Sequence, residues 1–523
     1  MMFPSCLPHR LWQLRTVLLC ALLSVSTLPG IPTHANGMDL DSFESQVTEH
    51  TLANGWTFIL VKRPVAPVFA FMTAVNVGSA QEGAGMTGLA HMFEHMAFKG
   101  TPHLGTTDYE AEQQALEAME QAYLAYQDAR LRARADEQHV QQLHEAFRRA
   151  QQAAATFVES NAFANIVERA GGVSLNAFTS ADMTGYVYAL PANKVELFCY
   201  LESERFLHPV FREFYEERDV VMEERRMRTE SNPIGRLFER FVAASFTAHP
   251  YHHPVIGHAS DIQSYTMTDA RQFFETWYVP SNMVTAIVGD IHPETLVPLL
   301  ERYFGRIPGG PPPPPLRTVE PPSIAETVVT LRDPSQPYYL EGYHKPAVTH
   351  RDQAVFEAID DILAHGRTSR IHRALVRDQQ LAVSAGAYGS YPGDKYPHVW
   401  VAYAVPARGV SNQAVRDALR QELHRLTTED VTEEELAKFR RRARTSLLYS
   451  LKNNMGLAMN LSSSHILFGD WREMFASLER FDKVTAADIR RVAGYTFTEA
   501  NRVVAQIETV PPPAAPPMEH PQR

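Results

Sequence analysis

The chain has 523 residues, 45% of them hydrophobic and 21% charged, which is too long for a single core and too apolar for a chain disordered throughout. With 60 acidic against 49 basic residues the formal net charge is −11, a balance that excludes a general nucleic-acid binder, because that class needs a basic face to neutralise phosphates. It suits a protein that takes basic or extended polypeptides.

In chain order, the first feature is a positive start (Arg10, Arg15), an apolar run from Thr16 to Leu28, and the breakers Pro29, Gly30 and Pro32. Thr33-His34-Ala35 puts small residues at the two key cleavage positions, so residues 1–35 are expected to be a secretory signal peptide. The run of 13 residues is short of the ~20 needed to span a bilayer, so no stable membrane span is expected after cleavage, a retained anchor being the alternative. The expected protein is exported, periplasmic or secreted. Cys6 and Cys20 leave with the signal, so Cys199 stands alone and no internal disulfide is expected.

The remainder reads as two similar halves, 36–306 and 324–510, joined by a proline-rich linker at 307–323 and followed by a proline-rich tail at 511–523. The first half is expected to hold strands at 56–61 and 68–77, helices at 88–98, 215–230 and 270–277, and a closing strand at 282–288. The second half repeats the order, with strands at 327–331 and 338–343, helices at 353–364, 433–449 and 487–492, and a closing strand at 501–507. The two closing strands share an Asn-x-Val-x-Ala pattern 219 residues apart, which suggests an internal duplication of an α+β domain. Residues 108–158 fall outside the repeat. They are rich in helix formers, with apolar residues at Leu116, Met119, Tyr123 and Tyr126 and then at Val140, Leu143 and Phe147, and a break near 134–136. A helical-hairpin insertion is expected there, either a lid or docking arm or simply a tolerated insertion.

The chemistry gathers in His91-Met92-Phe93-Glu94-His95. On a helix His91 and His95 lie on one face, a spacing that suits two ligands of one zinc ion, and Glu94 beside them could take a proton from water. This H-x-x-E-H order needs a third ligand on a neighbouring element. Glu217 and Glu224 are candidates, two helical turns apart on one face, with Val220 and Val221 suggesting that the face turns inward. The bland alternative is a charged helix with solvated glutamates.

Together, His91-x-x-Glu94-His95 running into Met96 to Thr101, the string Gly171 to Ser180, the helix Glu217 to Arg228 and the block His249-Pro250-Tyr251 with Val255-Ile256-Gly257 resemble the pitrilysin/insulinase family of zinc metallopeptidases (inverzincins), most closely its bacterial, mitochondrial-processing-peptidase-like branch. The resemblance implies two homologous α/β-sandwich domains facing each other across a chamber. It implies one Zn2+ per chain held by His91, His95 and Glu224, with Glu94 as general base and Glu217 as the carboxylate that orients a ligand histidine. It implies a peptide substrate bound as an added strand along Leu175, Asn176, Ala177, Phe178 and Thr179. The family's second half usually carries an Arg and a Tyr that hold substrate. Here Arg377 could stand for the Arg, but Val383 stands where the Tyr is expected. A homodimer, or a heterodimer with a paralogue carrying the Arg/Tyr pair, is therefore expected. The other reading is a non-catalytic peptide-binding or assembly subunit of the same fold.

Overall fold

A computed structural model describes residues 43–511, so the expected signal peptide and all but the first residue of the expected tail lie outside the described residues. The first half forms a six-stranded sheet from β1 (Val47–Thr51), β2 (Thr57–Lys62), β3 (Val68–Val75), β4 (Val173–Thr179), β5 (Thr184–Pro191) and β6 (Met283–Gly289), in the order β1-β2-β6-β3-β5-β4. The second half forms a five-stranded sheet from β7 (Thr327–Asp333), β8 (Tyr338–Lys345), β9 (Ala382–Tyr391), β10 (His398–Pro406) and β11 (Arg502–Thr509), in the order β7-β11-β8-β10-β9. Apart from β1 the two orders match strand for strand. In each half the closing strand pairs parallel with an early strand, β6 with β2 and β11 with β7. The other pairings are antiparallel. The fold is thus α+β with two homologous halves, and β4 and β9 are the corresponding sheet edges.

Strand alternation divides the core of the first half. Phe58 and Leu60 of β2 face a cluster that includes Leu89, Phe198, Phe273 and Leu300, from four helices of the same half. Ile59 and Val61 face the other way, onto Leu457, Ala458 and Leu461 of the helix Asn454–Phe468, which belongs to the second half. The Ser462 hydroxyl on that helix donates to Met72 O at 2.9 Å and accepts from Ala286 N at 3.2 Å. The exchange is reciprocal. The helix Pro233–Ser245 of the first half covers the outer face of the second sheet, packing Leu237, Phe241 and Val242 against Leu340, Val401 and Val503. Gly342 of β8 is what admits it, because a Cβ there would lie 2.4 Å from the Phe241 ring. Each half therefore completes the other's sandwich, and the units that pack are not continuous in sequence.

The insertion is a helical hairpin, Tyr109–Leu131 and Glu137–Ala155, with Asp108 and Asp136 capping the two N-termini. Met119, Tyr123 and Phe147 are buried as the apolar stripe predicts. The structure also buries Glu112 and Glu120, which the stripe does not foretell. Glu112 forms a fully buried two-pronged ion pair with Arg212 at 2.7 and 2.8 Å, and Glu120 accepts from the Tyr215 hydroxyl at 2.6 Å. The hairpin braces the back of the helix Phe214–Arg225, and its first helix also lines a cavity of about 1130 Å³ with Phe211, Phe274 and Tyr278. That helix ends earlier than expected and passes through a wide π turn at Arg226–Glu230. Cys199 is a free, fully buried thiol, and no described helix is long and apolar enough to cross a membrane.

Candidate functional site

His91, Glu94 and His95 lie on the helix Leu89–Met96, between β3 and the insertion. Gly88, at φ 90°, turns the chain into that helix, and a Cβ there would come within 2.6 Å of Ile256 O. The buried Glu82 carboxylate accepts from Gly88 N and Ala90 N, both at 2.7 Å, and so anchors the positive end of the helix. Glu217 and Glu224 project from the neighbouring helix Phe214–Arg225. The inward face expected of Val220 and Val221 is only half correct: Val221 is buried, but Val220 is 49% exposed, since successive helical residues diverge by about 100°.

These two helices bring His91, His95 and Glu224 together, with one ligand atom of each within 4.8 Å of the others. Glu224 Oε2 is 3.7 Å from His91 Nε2 and 3.8 Å from His95 Nε2. These separations are too long for hydrogen bonds and close to the spacing of about 3.4 Å between tetrahedral ligand atoms on bonds of about 2.0–2.1 Å. Burial, helped by the nearby His95 and Arg228, lowers His91 to about 3, so its imidazole is neutral and its lone pair available. The donor set fits a zinc ion.

The surroundings fix these groups. His95 Nδ1 lies 3.0 Å from Glu217 Oε2, a contact in which the imidazole donates and Nε2 is left facing Glu224. Lys99 donates to Glu217 Oε1 at 2.5 Å and to Glu213 at 3.0 Å. Burial alone would lower His95, but the hydrogen bond and charge of Glu217 hold it above its ordinary value. Burial would likewise raise Glu217, and the bonds from His95 and Lys99 outweigh it and hold the carboxylate down. Arg228 sits 2.7 Å from the second oxygen of Glu224. Glu94 is raised by burial, and its Oε2 accepts from the Thr179 hydroxyl at 2.7 Å.

That last contact ties the helix to β4. One edge of β4 pairs with β5 and the other is open beside the helix, so the backbone from Leu175 to Thr179 is available to an added strand. Asn176 is exposed there. Two cavities meet at Glu94 and His95. One, of about 360 Å³, runs past Lys99, Leu175 and Asn176, and the other, of about 700 Å³, runs past Thr179 and Glu224 to Tyr391 and Pro392 of the second half.

Arg377 is not brought to the site. Its guanidinium is spent on the adjacent Asp378, at 2.6 and 3.0 Å on the surface, and it lines neither cavity. The second-half groups that reach the cleft, Tyr391 at the end of β9 and Pro392 just after it, are anchored by the next residues. Buried Asp182, in the β4–β5 turn, accepts from Asp394 N at 2.6 Å, from Lys395 N at 3.1 Å and from the Tyr251 hydroxyl. Lys99, Asp182 and Tyr391 escape the sequence reading because each acquires its partner only through folding, whereas Arg228 stands four residues after Glu224, a spacing the sequence itself offers. In the second half, the helix Gln353–Ala364 follows β8 as the His91 helix follows β3. There, ion pairs of Arg442 with Asp361 and of Arg370 with Glu435 link it and the segment after it to the helix Glu433–Ser450.

Comparison with known proteins agrees with this geometry. Residues 57–162 match the family model "Insulinase (Peptidase family M16)" and residues 264–443 match "Peptidase M16 inactive domain", together more than half of the chain. The chain is 27% identical over 432 residues to the zinc protease PqqE of Helicobacter pylori, covering 81% of this chain and 84% of that one. It is 24% identical over 479 residues to a probable mitochondrial-processing peptidase subunit beta of Schizosaccharomyces pombe, covering 88% and 91%. Its fold matches the crystal structure of a protease from Helicobacter pylori with a TM-score of 0.74 at 24% identity, over 88% of this chain and 99% of that one. It matches the periplasmic protease PqqL from Escherichia coli with a TM-score of 0.65 at 17% identity, over 89% of this chain and 48% of that one. With an insulinase-type first half, an inactive-domain second half and relatives named as zinc proteases, the chain belongs to the pitrilysin/insulinase (M16) family.

Proposed function

We propose that the protein is a zinc-dependent endopeptidase that cleaves peptides or unfolded polypeptides. The observation that carries this reading is the convergence of His91, His95 and Glu224 ligand atoms within 4.8 Å, with the raised Glu94 carboxyl beside them. His91, His95 and Glu224 would hold one zinc ion per chain. Bound there, zinc would polarise a scissile carbonyl and make water more acidic.

The rest of the chemistry belongs to the chain. The open edge of β4 aligns the peptide backbone, from Leu175 to Thr179, with Asn176 at the reacting position. Glu94 takes the proton of the attacking water and passes it to the leaving amine, a task suited to a carboxyl that burial has moved toward neutrality. Thr179 holds that carboxyl in orientation. Glu217 keeps the His95 tautomer that presents Nε2, and Lys99 neutralises Glu217.

The reading extends to location and partners. Residues 1–35 have the layout of a signal peptide, which supports an exported protein. Arg377 is engaged with Asp378, so a second chain, either another copy or a paralogue, is proposed to add substrate-holding groups. Co-expression with such a paralogue should then raise activity above that of the isolated chain. The test of the core proposal is metal content with cleavage of a mixed peptide pool. One zinc per chain, chelator-sensitive cleavage and loss of zinc in Glu224→Ala support it. A chain that cleaves equally well with and without chelator contradicts it.

A further inference from the structure

We propose that Arg228 is a further catalytic residue, whose guanidinium donates a hydrogen bond to the scissile carbonyl oxygen as that oxygen gains negative charge. This deepens the peptidase reading and rests on it. When water adds to the carbonyl carbon, its proton goes to Glu94 and the π pair of the C=O bond moves onto the oxygen. A donor placed to meet that charge lowers the barrier, and the pair returns as the C–N bond breaks and the amine takes the proton. Arg377 pairs with Asp378 on the surface, and Lys99 is bonded to Glu217 and Glu213, so neither is placed to serve.

Among the described residues, Arg228 is the one lysine or arginine lining the cavity of about 700 Å³ that holds His91, Glu94 and Thr179. Its Nη1 lies 2.7 Å from Glu224 Oε1, while Glu224 Oε2 is the oxygen nearest His91 and His95. That contact uses one end of a fork with five N–H donors, and the side chain is 68% exposed, so the rest of the fork is open to the cleft. An ion pair this exposed adds little to stability, which leaves its placement to be explained by function. Behind burial and other neighbours, its charge also acts on His91 and Glu94, lowering both, so it is within electrostatic reach of the reacting centre. Two other polar groups of the cavity are poorer donors. Glu239 pairs with Arg225 at 3.0 Å. His253 is neutral, lowered to about 4 chiefly by burial, and both its ring nitrogens are covered by protein and have no partner.

The backbone that carries Arg228 is closely packed. It lies in the π turn Arg226–Glu230, a widening of the helix of the kind that re-aims side chains. Gly235 of the helix Pro233–Ser245 lies directly on this turn, and a Cβ there would come within 2.1 Å of Arg228 O. Arg225, three residues earlier, is buried and donates to Gly257 O at 2.6 Å. A charge open to the cleft on a fixed backbone is what preorganised stabilisation requires.

The experiment compares zinc-loaded wild type, Arg228→Ala and Arg228→Lys on one peptide that wild type cleaves, with zinc affinity measured on each by competition with a calibrated chelator. In Arg228→Ala, kcat should fall by about 10²-fold while KM and zinc affinity stay as in wild type. Arg228→Lys should recover part of the rate, and added methylguanidine should raise kcat in Arg228→Ala but not in wild type. A phosphinic analogue of the peptide, whose tetrahedral P–O⁻ copies the charged carbonyl oxygen, should lose affinity for Arg228→Ala by a similar factor. Arg228→Gln takes the place of Arg228→Ala should the latter fail to fold by circular dichroism. An unchanged kcat and analogue affinity overturns the proposal and leaves the peptidase reading standing. So does a loss of rate that returns when zinc is raised, since Arg228 would then only steady Glu224. No cleavage of any peptide by the zinc-loaded wild type overturns the peptidase reading and this proposal with it.

Discussion

At the scale of single residues, the site rests on chains of contact rather than on ligands alone. Glu217 lies outside the trio of His91, His95 and Glu224, yet it fixes His95 through Nδ1 and is itself held by Lys99. Glu217→Ala should therefore weaken zinc binding by about 10–100-fold, read by competition with a calibrated chelator, and activity should return when zinc is raised. An unchanged zinc affinity would contradict the role assigned to Glu217. The residues that converge were legible in the sequence, because the spacing of His91 and His95 and that of Glu217 and Glu224 are properties of one helix each. Lys99 and Asp182 were not legible. Lys99 meets Glu217 across 118 residues, and Asp182 meets Lys395 across 213. Arg377, chosen by position in a motif, could not be seen in sequence to have its neighbour Asp378 as its partner.

At the scale of elements, the hairpin is a brace. Its first helix is tied to the support of the Glu224 helix by the Glu112–Arg212 pair, in which both side chains are buried, and Arg212 also donates to the carbonyls of Lys99, Thr101 and Leu104. Arg212→Ala should cost about 3–5 kcal/mol in urea unfolding, because it leaves the Glu112 carboxylate buried without its counter-charge. A cost under about 1 kcal/mol, the range of exposed pairs, would show that the hairpin is only loosely attached. The hairpin's existence could be read from its apolar stripe and its break, but not its role, since Glu112 and Glu120 read as solvent-facing charges until Arg212 and Tyr215 are placed against them.

In the second half the Arg370–Glu435 pair predicts a pH effect. Burial would raise the Glu435 carboxyl, but the Arg370 bonds and the Thr432 amide outweigh it and hold the group at about 2. A depressed carboxyl stabilises the fold above its unfolded value and loses that contribution as pH falls through its folded value. For this half-exposed group the contribution, after solvent screening, is about 1 kcal/mol. The gap in Tm between wild type and Glu435→Gln should therefore be full at neutral pH and close between about pH 4.5 and 2. A gap independent of pH would contradict the pairing.

At the scale of the molecule, duplication was readable from the repeated strand order, while the exchange of helices between halves was not. Nothing in the pattern of Asn454–Phe468 says that its partner strands lie 176 to 390 residues earlier, because an apolar helix face is indifferent to which sheet covers it. The exchange and the Asp182 clasp give the cleft a wall from each half. Asp182→Ala leaves Asp394 N and Lys395 N without their acceptor and should cost about 2–4 kcal/mol, with a larger radius of gyration in solution scattering. Unchanged stability and radius would mean that the halves are held by the exchanged helices alone. The central claim, that the trio and Glu94 form a working hydrolytic centre, is tested most directly by peptide turnover in Glu94→Gln with zinc content measured on the same sample. The account predicts that zinc stays at one per chain while kcat falls by about 10²-fold or more. Turnover equal to wild type at full zinc occupancy would contradict it.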